Sequence, residues 1–286
     1  MLLLRGVFVM FLCLTDARGA LHKVGVSFSP AGLLTPYHLG VSQALSVSGL
    51  VSSASGLAGA SGGSIAAVCA ALEFDSEDIL EACSRVAIAC REKGTFRTLS
   101  GALLKELREL LPEDAASVIQ KREGKCIVAY QTLWPKLEAV NKCDFSDKDD
   151  LIESVSASCT IPFYYSGSPF TTLRDGSRAV DGFFATQRSR FGCPATGSAY
   201  EIAVCPFDHE MVGLTAVDNV ISPRLLQPCD WSLSTNDLLS LALAPPTDAD
   251  KGSFLDDDGI RRVYHDLYRA GQESAAVFLA TERLLA

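Results

Sequence analysis

The sequence predicts an α/β fold built on a mostly parallel sheet with helices on both faces. Two observations carry that expectation. Extended and helical segments alternate along the chain, the pattern that winds a parallel sheet. A glycine-framed serine, Gly59-Ala60-Ser61-Gly62-Gly63, also stands where a strand gives way to a helix. No linker rich in Gly, Ser or Pro interrupts the chain, so residues 21–286 read as one domain. With 286 residues, 48% of them hydrophobic, the chain is long enough to bury a substantial core.

The elements follow in order. Val24-Gly25-Val26-Ser27-Phe28-Ser29 alternates and reads as the first strand, broken by Pro30-Ala31-Gly32. A helix is expected from Pro36, a residue suited to a first turn, through Tyr37, His38, Val41 and Leu45. A second strand near Ser55 to Ala60 runs into the serine turn, and a helix from Ser64 through Leu72 follows. Asp75-Ser76 can start the next helix, with Ile79, Leu80, Cys83, Val86 and Ala87 on one face. Ala102 to Leu111 is amphipathic and stops at Pro112, while Lys125 to Leu133 is apolar and β-rich. Leu151 to Ser158 is helical and ends before Pro162. Asp175-Gly176 looks like a hairpin turn, Arg178-Ala179-Val180 is extended, and Tyr200 to Cys205 is another strand. Apolar residues at 260, 263, 264 and 267 mark a closing helix from Ile260 to Leu285.

Composition excludes several classes. Charged residues make up 21% of the chain, a globular proportion, and no repeat is visible. The net charge is −9, and the densest basic clusters are Lys121-Arg122-Glu123-Gly124-Lys125 and Arg261-Arg262. An acidic chain without a basic stripe is a poor nucleic-acid binder and is not drawn strongly to anionic membranes. A neutral lipid surface, or a pocket for an uncharged acyl chain, remains compatible.

Two features point to different compartments. Residues 1–20 carry Arg5, a short apolar run from Val7 to Leu14 and a small-residue end at Ala17 to Ala20, the layout of a cleavable secretory leader. That run is shorter than the roughly 20 residues a membrane span needs. The ten cysteines are irregularly spaced without a CxxC pair. They give zinc and thioredoxin-type sites no support and read as reduced, buried thiols. Secretion and a peripheral place on a cytosolic lipid droplet or membrane both stay open.

The serine turn is the sharpest chemical feature. In a G-x-S-x-G turn the serine oxygen stands exposed at a strand end, and the following helix N-terminus favours developing negative charge. A serine needs a base. His22 and His38 precede it, His265 lies on the closing helix, and His209, after a strand in Phe207-Asp208-His209-Glu210, is the one suited to a triad. The alternative is Asp181, which follows Ala179-Val180 and can sit at a strand end facing the serine. Asp175-Gly176 has polar neighbours and suits a plain turn. The acidic stretch with Asp248, Asp250, Gly252 and Asp256-Asp257-Asp258 lacks the final glutamate of a calcium loop and reads as solvated. Phe163-Tyr164-Tyr165 and Phe170 suit either an acyl groove or plain core.

Seven segments, in order along the chain, resemble the patatin-like lipid acyl hydrolases. Phe28-Ser29-Pro30-Ala31-Gly32-Leu33-Leu34 is similar to that family's oxyanion loop, and Tyr37-His38-Leu39-Gly40-Val41 resembles its adiponutrin subgroup. Gly59 to Gly63 is similar to its nucleophile elbow. Ser156 to Phe163 and Val180-Asp181-Gly182 are similar to its later motifs, and Ala242 to Pro246 and Tyr268 to Gly271 resemble its distal part. The resemblance implies a three-layer α/β/α fold and cleavage of fatty acyl esters of acylglycerols or phospholipids. It implies Ser61 as nucleophile, Asp181 as base, oxyanion donors at the N–H groups of Ala31 and Gly32, and no metal or cofactor. Pro30 and Thr35 depart from glycines of the pattern, Pro30 has no N–H, and Phe183 stands where a small residue is usual. These departures keep a second reading open, a lipid-surface or interaction protein without catalysis. A Ser–His–Asp esterase using His209 is a third.

Overall fold

The computed structural model describes residues 24–226, 234–248 and 253–285. The expected leader, His22, Cys229, Asp250 and Gly252 lie outside these residues.

β1 (Val24–Phe28) and β2 (Gly56–Ala60) are five residues each and wholly buried. They pair in parallel, and β7 (Tyr200–Val204) pairs in parallel on the other edge of β1. β8 (Asn219–Ile221) extends that side and β3 (Cys126–Trp134) the other, both in parallel. Three antiparallel strands complete the sheet around β3: β4 (Glu138–Lys142), β6 (Arg178–Val180) and β5 (Thr171–Thr172). The sheet is thus mostly parallel, as the alternation of segments predicts.

Both faces are covered. On β7, Ile202 and Val204 enter one apolar cluster while Ala203 and, just past the strand, Cys205 enter another. Successive strand residues point to opposite faces, so apolar side chains at every position mean burial on both. On β1 the second face holds Gly25 and Ser27, and the chain at 194–198 lies directly on it; Ser27 donates to the Pro194 carbonyl at 2.6 Å.

The helices are α1 (Thr35–Val47), α2 (Gly62–Ala71), α3 (Ser76–Lys93), α4 (Leu99–Leu110) and α5 (Ala115–Gln120). They continue with α6 (Lys148–Ser158), α7 (Thr235–Leu243) and α8 (Asp257–Leu285). α2 has small or apolar residues all round and is buried almost throughout, which places it at the centre rather than the surface. α3 begins where Asp75 caps it, accepting from the Glu77 N–H at 2.8 Å. α1 and α8 cross at a pair of glycines. A Cβ on Gly40 would stand 1.9 Å from the Tyr268 carbonyl oxygen, and one on Gly271 would stand 2.2 Å from that of Tyr37. Two of the sequence motifs therefore meet in one backbone contact.

Most expected elements stand within a few residues of their expected ends. β4, β8, α5 and α7 were not expected. β4 is a polar edge strand, and β8 is three residues long. The eight cysteines among the described residues are all unpaired, six of them buried.

Candidate active site

The register of β3 sets the site. β4 pairs with Val128 to Thr132 and fills one edge of β3. β2 and β6 must then share the other edge, end to end. Ala60 pairs with Ala129 and Val180 with Gln131. The residue after each strand, Ser61 and Asp181, therefore meets the other opposite Tyr130. Two strands running toward each other bring together side chains 120 positions apart.

Ser61 has φ 54° and ψ −132°, a left-handed backbone that a non-glycine residue adopts only when its surroundings enforce it. The enforcement is visible. The Ser61 N–H donates to Ser158 Oγ at 2.8 Å, and Ser158 Oγ donates to the Ala129 carbonyl at 2.6 Å. Ser64 Oγ donates to the Ser61 carbonyl at 2.7 Å. Close approach is enforced too. A Cβ on Gly63 would lie 2.4 Å from the carbonyl oxygens of both Phe28 and Ser29, at the end of β1.

Asp181 is 2% exposed. Its N–H donates to the Thr160 carbonyl at 2.9 Å, and its Oδ1 accepts from the Phe183 N–H at 2.8 Å. Oδ2 is buried and makes no hydrogen bond. Burial pushes the carboxyl up to about 7, partly opposed by the Phe183 N–H and the nearby Ser61 hydroxyl. The hydroxyl is thus within electrostatic reach of the carboxyl, without a formed hydrogen bond to Oδ2. Such a group exchanges a proton near neutral pH.

The Pro30 to Gly32 loop abuts the elbow. A Cβ on Gly62 would lie 3.0 Å from Gly32 N and 2.9 Å from Gly32 O. Gly32, at φ 54°, opens a single 3-10 turn over Gly32–Leu34, so its N–H has no partner within that turn, and Ala31 precedes it. Thr35 is a structural stitch: its Oγ1 lies 3.1 Å from the Gly32 carbonyl and 3.5 Å from that of Gly62. Pro30 packs against Gly192. Phe183 turns its ring to Phe184 and Phe191, 5.6 and 5.7 Å between centroids, and does not line the cavity at Ser61.

That cavity, of about 80 Å³, begins at Ser61, Gly32 and Thr35. It runs between Ile65 of α2, Ile79, Ala82, Cys83 and Val86 of α3, and Leu99, Leu103, Leu107 and Leu110 of α4. Ile161, Tyr164 and the end of α7 at Ala242 and Leu243 close it. Glu106 is the charged member of the lining, and its Oε2 is held at 2.8 Å by Arg85. A narrow, apolar slot leading away from the Ser61 side chain suits an alkyl chain.

The remaining candidates fall elsewhere. His209 Nδ1 meets Ser222 Oγ at 2.8 Å and lines no part of the Ser61 cavity, so the geometry gives no histidine triad at Ser61. His265 is exposed on α8, as expected of a surface residue. Asp175 accepts from the Ser177 N–H at 2.8 Å within a hairpin turn whose Gly176 has φ 84°. Tyr165 is core, bonded to Ser156 at 3.0 Å, and Phe170 lies under Arg178. No cluster of metal-ligating side chains occurs among the described residues.

Two residues escaped sequence reasoning. Ser158 lies inside the Ser156 to Phe163 motif, but nothing in its type marks it as the anchor of the elbow. His38 precedes Ser61 in the chain, the wrong order for a triad histidine. It is fully buried, and burial pulls it down to about 4, so it is neutral. Its Nε2–H donates to the Ser29 carbonyl at 2.9 Å, bracing the strand end that leads into the Ala31-Gly32 loop.

Comparison with known proteins decides the family. The sequence model of the patatin-like phospholipases matches residues 26–186, more than half of the chain, and that span includes both Ser61 and Asp181. The chain belongs to the patatin-like phospholipase family. It is also 25% identical over 209 residues to mouse patatin-like phospholipase domain-containing protein 5, a match covering 67% of this chain and 46% of that protein. The chain thus spans about half the length of that curated relative. The crystal structure of VipD from Legionella pneumophila aligns over 94% of this chain and 69% of that one, at 10% identity and a TM-score of 0.46. At the family level, patatin-like phospholipase membership points to lipid hydrolysis.

Proposed function

We propose that this patatin-like phospholipase hydrolyses fatty acyl esters of acylglycerols or phospholipids through a Ser61–Asp181 dyad. One observation carries the reading. Ser61, strained and lining an apolar slot, follows a strand that shares one edge of β3 with the strand leading to Asp181, a buried carboxyl whose Oδ2 has no hydrogen bond.

The Ser61 hydroxyl passes its proton to Asp181 as Oγ attacks the ester carbonyl. The N–H groups of Ala31 and Gly32 hold the oxyanion, helped by the N-terminus of α2. Collapse expels the alcohol, which takes the proton back from Asp181. Water then attacks the acyl-enzyme by the same proton route, releasing the fatty acid and restoring the hydroxyl. The acyl chain lies in the slot lined by α3 and α4.

The test is labelling with a fluorophosphonate probe, followed by kinetics on a soluble ester and a lipid panel. Ser61→Ala should lose both labelling and hydrolysis while remaining folded. Asp181→Asn should lower the rate by roughly 10²–10⁴-fold, and His209→Ala should change little. Activity retained by folded Ser61→Ala would end the assignment. A dead His209→Ala beside an active Asp181→Asn would replace the dyad with a histidine mechanism. Wild-type protein inert on every ester would favour the reading as a lipid-surface protein without catalysis.

A further inference from the structure

Beyond the site, β3 and β4 run on into an apolar tip. Leu133, Trp134 and Leu137 are 42%, 61% and 72% exposed there. The tip is braced rather than collapsed: Thr132 Oγ1 lies 2.9 Å from the Lys136 carbonyl and 3.0 Å from that of Glu138. Its two charges cancel, with Lys136 Nζ 3.1 Å from Glu138 Oε2. The turn after Asp181, Gly182–Ala185, packs against both β3 and β4 and carries Phe184, 52% exposed. The hairpin and the aspartate turn therefore belong to one surface.

We propose that the tip of the β3–β4 hairpin, with Trp134 and Leu137 foremost, inserts into a zwitterionic phospholipid surface and seats the Ser61 mouth against it. Two arguments select this occupant. The tip's own charges pair off and Arg178, across from Trp134, is held over the Phe170 ring, so on a chain of net charge −9 an anionic surface adds little and a zwitterionic one does not repel. An indole with a polar N–H and a lysine with a long apolar stem both suit the headgroup boundary. A second copy of the chain fits less well. Three side chains, even fully covered, fall short of the roughly 800 Å² per partner that a stable protein interface buries.

The docking surface extends the proposed function, but its binding test does not depend on catalysis. Full-length protein is mixed with phosphatidylcholine vesicles, and the bound fraction is measured by co-sedimentation. The comparison is with Trp134→Ser/Leu137→Ser and with Val47→Ser, which alters an exposed apolar residue at the end of α1. Wild type and Val47→Ser should bind alike, and the double variant should bind about tenfold more weakly or less. All three should melt at the same temperature and cleave a soluble short-chain ester equally, while cleavage of vesicle lipid falls with binding. Equal binding by the double variant, or no binding by wild type, would overturn the proposal. So would a wild-type dimer that the double variant converts to monomer. Loss of vesicle binding in the double variant, with no ester cleaved by any form, would uphold the docking surface and defeat the catalytic reading.

Discussion

Asp181 reaches neutrality by burial, and two pH effects of opposite sign follow. As the proposed base it must be ionised, so kcat/KM should rise with pH through about 7 and fall away below it. Asp181→Asn should lose that limb along with most of the rate. The stability effect runs the other way. A carboxyl raised from its ordinary 3.8 to about 7 holds more protons folded than unfolded between those values. Stability therefore drops as pH rises through that window, and the cost is complete above it. Asp181→Asn removes the cost, so its melting temperature should exceed that of wild type at pH 8 and converge on it toward pH 4. Melting curves at both pH values check this, and a variant less stable at pH 8 would contradict it. Sites that place a costly group where chemistry needs it commonly show this trade of stability for activity.

Among the elements, α2 is the one the site depends on most. It must start at Ser61 and pack at once on the end of β1. Any side chain on its second residue meets the Phe28 and Ser29 carbonyl oxygens at 2.4 Å, and these are fixed backbone atoms. Gly63→Ala should force α2 away from β1, at a cost of about 1–3 kcal/mol or more. The expected result is a melting temperature lower by several degrees, with a larger relative loss of activity because the elbow moves. Gly213→Ala makes a useful contrast. Gly213 has open space around it but φ 78°, so its penalty is backbone strain alone and the site should be untouched.

At the scale of the whole molecule, residues 24–285 contain the sheet, both faces of its cover, and the meeting of α1 with α8. A protein lacking residues 1–20 should therefore fold and show the same specific activity on a soluble ester. Circular dichroism and kinetics of the truncated protein check this. N-terminal sequencing of the full-length chain from its native host should find a start near Leu21; an intact Met1 would count against a cleaved leader.

Local chemistry made much of this legible. The period of apolar residues and the punctuation by Gly, Pro and Asp placed β1, β2, α1 to α4 and α8, because these patterns reflect forces acting within a few residues. The elbow at Ser61 was legible for the same reason. α7 was legible in principle, since Ser234 and Asp237 form a capping box, but β4 was not: its five residues, with Val140 alone packed on the core, show no strand period. That Asp181 stands opposite Ser61 depends on β2 and β6 sharing one edge of β3, a pairing that no local signal specifies. His209 against Ser222, Ser158 beneath the Ser61 turn and His38 against the Ser29 carbonyl are likewise contacts between separate segments. The sequence by itself determined the strand–turn–helix pattern around Ser61 and offered Ser61 and Asp181 as candidates. The burial that brings Asp181 to neutrality, and the register that aims it at Ser61, were decided by tertiary structure, because desolvation and alignment exist only once distant segments pack.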